Sequence, residues 1–195
     1  MEGAVEGAAD GPAAELPPSP GGGNQLDRSN TIRAGVFGIQ DGVVSNFGLV
    51  MGVAGASISP GAVVVAGAAG LVSGAISMGA GEYVSVRTQA EILAEHGITG
   101  DAGNVNPLRA AGANAGLFAI GGLFPLVPFV VAEGTTAVVI SAVLSVLVLF
   151  TAGALLTRLT RQNPLRSGAR LLVIGGGAGL LGFLLGTVLG GAVGI

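Results

Sequence analysis

The sequence predicts an all-α membrane protein of five transmembrane helices with a cytoplasmic N-terminus, and three observations carry that expectation. Half of the 195 residues are apolar and only 10% are charged, whereas an ordinary soluble domain carries roughly 25% charged residues. The apolar residues gather into five stretches, each near the roughly 20 residues that cross a bilayer as a helix. All eight basic residues are arginines. In a five-span arrangement they fall on one side, the side that Lys and Arg mark as cytoplasmic.

Residues 1–30 come first, acidic and rich in Pro and Gly, and are expected to form a disordered, solvated tail whose removal up to residue 27 leaves function nearly unchanged. No basic start precedes an apolar run, so the segment is not a signal peptide. The formal charge of -3 is local to this tail: Glu2, Glu6, Asp10, Glu15 and Asp27 lie there without a basic partner, and from Arg28 onward eight arginines face six carboxylates. The membrane-spanning body, 31–195, follows with helices expected at about 34–57, 61–84, 108–131, 136–159 and 171–195. The breaks are Ser59-Pro60-Gly61, the polar stretch from Arg87 to Pro107, Glu133-Gly134-Thr135, and Arg158 to Arg170. Two of these connections are long and carry arginine. Tyr83 falls at the inner end of helix 2, where an amphipathic ring anchors.

Lipid is as apolar as leucine, so helices in a membrane associate through small residues that let backbones approach. Gly182, Gly186, Gly190 and Gly194 repeat every fourth residue on helix 5, Gly38 with Gly42 and Gly48 with Gly52 mark helix 1, and Ala66, Gly70 and Gly74 mark helix 2. Close helix packing accounts for most of the 37 glycines. Pro125 and Pro128 are expected to kink helix 3 near its outer end or to begin unwinding it.

An enzyme is not expected from the residues available. There is no cysteine, no tryptophan and a single histidine, so thiolate metal sites and a Ser-His-Asp set around His96 are out of reach. The run Gly175-Gly176-Gly177 lacks the Lys-Ser/Thr ending of a phosphate loop. No cofactor is expected.

Ionisable residues within spans are costly and functional by default. Asp41 lies about seven residues inside helix 1, roughly 11 Å from the cytoplasmic end, with no arginine close in sequence; a hydrogen bond to Ser45 is the structural alternative. Met78, counted back from Val84 on the oppositely running helix 2, lies at about the same depth, roughly 9 Å. It belongs to a four-residue stripe with Gly70, Gly74 and Glu82. A carboxylate replaces lost hydration around a divalent ion, and a thioether favours softer transition metals over magnesium or calcium. Asp41, Met78 and Glu82 are therefore the candidate metal residues, though Glu82 taken alone reads as an interfacial carboxylate paired with Arg33 or Arg87. Because metal displaces a proton from its ligands, Asp41 is also a candidate to exchange protons for metal.

The segments RAGVFGIQDGVVSNFGLVMGVAGA (33–56), GLVSGAISMGAGEYVSV (70–86) and NPLRAAGANAGLFAIGGLFPLVPF (106–129) strongly resemble the vacuolar iron transporter family, and the resemblance runs from Thr31 to the C-terminus. It implies five membrane helices, a homodimer built around helix 1, and export of Fe(II), often also Mn(II), from the cytoplasm against protons. By motif, Asp41 and Met78 match the family's pathway carboxylate and thioether, and Glu82 an acidic position of its nodulin-like members. The expected partners are divalent metal ions, protons, the lipid bilayer and a second copy of the chain, with no nucleic acid. The positive-inside pattern suits a bacterial inner membrane.

Two departures stand out. The family's metal-binding domain between helices 2 and 3 is replaced here by Arg87 to Asn106, where Glu91, Glu95 and His96 keep helical spacing but read as a solvated loop. Gly70 stands where members with that domain have an acidic residue. The rival readings are a carrier of another cation, such as Co(II) or Zn(II), and a non-transporting membrane scaffold, for which Asp41→Asn would be silent.

Overall fold

The computed structural model describes residues 22–56, 59–96, 105–160 and 163–194. Five helices fill them: α1 Gly22–Gly55, α2 Pro60–Glu95, α3 Pro107–Val131, α4 Gly134–Thr160 and α5 Pro164–Val193. Each is long and apolar enough to cross a membrane. Arg161 and most of the acidic tail, 1–21, lie outside the described residues.

The helix ends differ from the expected ones, and local chemistry accounts for the difference. α1 begins at Gly22 rather than near residue 34, so the expected tail is helical from residue 22 on. Its first turns are fixed by Asp27, which is buried and accepts hydrogen bonds from the Asn106 backbone amide at 2.9 Å and from Arg109 at 3.1 Å. α2 continues to Glu95 rather than stopping near residue 84. Its extension, Arg87 to Glu95, is built of helix formers and carries an Arg87 to Glu91 pair at 2.9 Å, the (i, i+4) spacing that supports an exposed helix. Glu91 and Glu95 are thus solvated, as expected, but on a helix rather than a loop, with His96 at its C-cap. α5 begins at Pro164, not 171, because the Asn163 side chain accepts from the Leu165 amide at 3.0 Å and Pro164 occupies the first helical position.

α1 is the central helix, packed against all four others, with α2 and α3 to one side and α4 and α5 to the other. Glycine sets both seams. A Cβ at Gly38 or Gly42 would meet the backbone carbonyl of Asn114 or Phe118 on α3, and one at Gly182 or Gly186 would meet that of Gly48 or Gly52 on α1. Gly194 stands apart from the stripe it continues in sequence: its φ of +76° ends α5 in the left-handed region.

α3 runs as one helix through Pro125 and Pro128, both buried, so no unwinding occurs there. The Ser141 hydroxyl of α4 donates to the Pro125 carbonyl at 2.7 Å. Phe47, Leu71, Phe118 and Leu126 form the centre of the largest apolar cluster. Outward-facing side chains are also apolar, among them Val65 and Val72 on α2 and Val173 and Leu181 on α5. This inside-and-outside apolarity is what a lipid-facing bundle requires.

Candidate metal pathway

α1 and α2 both extend by about three turns at the same end, so the equal depth expected for Asp41 and Met78 survives the change in helix limits. The two residues line one cavity of about 220 Å³ between α1 and α2. Gly70 and Gly74 keep its α2 wall thin, and the Phe118 ring closes its α3 side. Ser45, Ser73 and Ser77 add hydroxyls around it.

Asp41 is half-buried. The alternative of a Ser45 partner resolves in a particular way: the Ser45 hydroxyl donates to the backbone carbonyl of Asp41 at 2.6 Å, not to its carboxylate. Among the described residues no hydrogen bond or ion pair reaches that carboxylate. A carboxylate inside a span with no internal partner is left to water, a cation or a proton.

Glu82 lies one turn from Met78 toward the arginine-bearing end and outside the cavity lining. Its side chain is only 10% exposed; Oε1 accepts from Arg33 at 3.2 Å and Oε2 from Asn114 at 3.4 Å. Of the two arginine partners the sequence offered, α1 supplies the one used. Arg87 turns instead to Glu91 and, at 3.1 Å, to the Tyr83 hydroxyl. The structure therefore brings Asp41 and Met78 together and sets Glu82 next to them, held by a cation from a neighbouring helix.

Among the described residues no group of three or more His, Cys, Asp or Glu side chains converges as a closed metal cage. A single carboxylate and a thioether on an open cavity are suited to brief contact with a divalent ion, because few charged ligands mean weak retention. Two amides that a survey of ionisable residues passes over also belong here. Asn46 lines the cavity and Asn114 holds Glu82; both are almost fully buried, and the Oδ1 of each lacks a donor. An asparagine set in an apolar run, as in VVSNFGLV or AGANAGLF, is the signal that would have found them.

Comparison with known proteins finds a family match and relatives over most of the chain. The VIT family model matches residues 32–97 and 90–187. Vacuolar iron transporter homolog 5 of Oryza sativa subsp. japonica is 38% identical over 170 residues, covering 81% of each chain. VIT-like transporter 1b of Glycine max is 36% identical over 165 residues, 77% of this chain and 72% of that one. Vacuolar iron transporter homolog 2 of Arabidopsis thaliana is 36% identical over 152 residues, 74% of this chain and 77% of that one. All three come from plants and two carry "vacuolar" in their names, so the expectation of a bacterial inner membrane draws no support from them. The spans and these relatives agree on an integral membrane protein.

Proposed function

The chain belongs to the VIT family, and on that premise we propose that it exports a divalent transition metal, Fe(II) or Mn(II), from the cytoplasm in exchange for protons. Metal ion transport follows from the family and from relatives named as iron transporters. The observation that supports the rest is the cavity in which the unengaged Asp41 carboxylate and the Met78 thioether meet at one depth. Glu82 stands at its cytoplasmic mouth, where Arg33 competes with an arriving cation. Binding of metal at Asp41 releases its proton, and release of metal on the outer side lets the proton return. This gives exchange without a resident cofactor.

The functional unit is a homodimer around α1. Phe37, Ser45 and Leu49 are exposed on the α1 face that carries Asp41, and a second copy laid on this face closes the open side of the cavity. Two copies of Asp41 and Met78 then border one path. The gathering of arginines at one end supports a cytoplasmic N-terminus.

The test is uptake into proteoliposomes holding the purified protein, comparing Fe(II), Mn(II), Co(II), Zn(II) and Mg(II) with and without a proton gradient. Gradient-dependent flux of Fe(II) or Mn(II) that exceeds Mg(II) flux is the expected result. Equal rates with and without the gradient would remove proton exchange, and no flux from a folded dimer would favour a scaffold.

A further inference from the structure

Asn46 is 2% exposed, on the α1 wall of the cavity that holds Asp41 and Met78. Its amide nitrogen donates to the Gly122 carbonyl at 2.6 Å, which fixes the orientation of the amide. The oxygen is left without a donor, and a buried acceptor with no partner costs roughly 1–3 kcal/mol. That oxygen points toward Gly70 on the opposite wall: a Cβ there would lie 3.4 Å from Asn46 Oδ1. The same Cβ would strike Leu49 Cδ2, so glycine at 70 keeps the α2 wall back from the oxygen, and the flexible end of the Leu49 side chain lies beside it.

Along α1, Asn46 is five residues beyond Asp41, roughly 7.5 Å farther from the arginine-bearing end. The geometry points to Asn46 as a third, neutral donor of the pathway, whose amide oxygen receives the divalent ion as it leaves Asp41 and Met78. This inference rests on the transport reading above. Its chemistry is specific. An amide oxygen adds a hard ligand without adding charge, so it favours Mn(II) over softer ions while keeping retention weak. The unmet acceptor is then satisfied during transit rather than by the protein.

A purely packing role for Asn46, holding α3 through Gly122, predicts something different, and metal selectivity separates the two. Mn(II) and Co(II) flux are measured across concentration in proteoliposomes of wild type, Asn46→Ala, Asn46→Asp, Gly70→Ala and Asp41→Asn. Asn46→Ala is expected to raise the half-saturating Mn(II) concentration about tenfold and that of Co(II) much less. Asn46→Asp keeps an oxygen but loses the donor to Gly122, and is expected to retain the preference for Mn(II). Gly70→Ala leaves the Gly122 bond in place, sets a methyl against the oxygen and displaces the Leu49 side chain beside it, so it is expected to lower the Mn(II) to Co(II) ratio and to decide the matter if the Asn46 variants fail to fold. An unchanged ratio in folded Asn46→Ala and Gly70→Ala proteins would overturn the inference and leave Asn46 as packing. A wild type that carries neither metal, or an Asp41→Asn protein that carries both normally, would overturn the transport reading and this inference with it.

Discussion

Arg33 on α1 donates to Glu82 on α2 at 3.2 Å, one helical turn from the cavity that Asp41 and Met78 share. The carboxylate at the mouth is thus occupied by an internal cation that is itself 62% exposed. On the proposed pathway an arriving metal ion competes with Arg33 for it. Removing Arg33 by Arg33→Ala is expected to lower the half-saturating metal concentration, and Glu82→Gln to raise it. Because one partner is so exposed, the pair is worth at most about 1 kcal/mol, which limits the Arg33→Ala shift to roughly fivefold. Flux against metal concentration checks the signs; shifts in the same direction would remove the competition.

Asp27 ties the start of α1 to the start of α3 through the Asn106 amide and Arg109. Deleting residues 1–21 is expected to leave thermal unfolding in detergent unchanged. Deleting 1–27 removes the tie, and Asp27→Ala leaves the Asn106 amide without that acceptor, at a cost of roughly 1–3 kcal/mol. Equal unfolding temperatures for the two truncations would show that the tie contributes nothing.

The seam between α1 and α5 depends on absent side chains. A Cβ at Gly186 would strike the Gly52 carbonyl, which belongs to the backbone and has little room to move. Gly186→Ala is expected to cost about 1–3 kcal/mol. At Gly177 a Cβ meets nothing within 4 Å, so Gly177→Ala is expected to be stabilising by roughly 0.5–1 kcal/mol through helix propensity. Unfolding temperatures of the two variants should move in opposite directions.

Met78 offers sulfur where Asn46 offers oxygen. Met78→Leu keeps the bulk packed against the core cluster and loses only the soft donor, so Co(II) flux is expected to fall more than Mn(II) flux. Proportional losses would assign Met78 to packing alone.

Much of this arrangement is legible in the sequence because membrane helices obey coarse rules. Five apolar stretches gave five helices, the glycine repeat on α5 met Gly48 and Gly52, and the counted depths of Asp41 and Met78 led to a shared cavity. Hydropathy stops where the bilayer does, so it is blind to the polar extensions of α1, α2 and α5. Those ends depend on Asp27, on the Arg87 to Glu91 pair and on the Asn163 cap. Asn46 escaped notice because it carries no charge, although its burial makes its oxygen as conspicuous in the fold as a carboxylate.

Asp41 is the carboxylate on which the proposed pathway depends, and Asp41→Asn changes its charge while keeping its size. Fe(II) or Mn(II) flux through proteoliposomes of this variant, set beside wild type and checked for equal folding and oligomeric state, is the most direct measurement. The expected result is flux reduced to the level of empty liposomes. Flux at the wild-type rate from the folded variant would contradict it and place the pathway elsewhere.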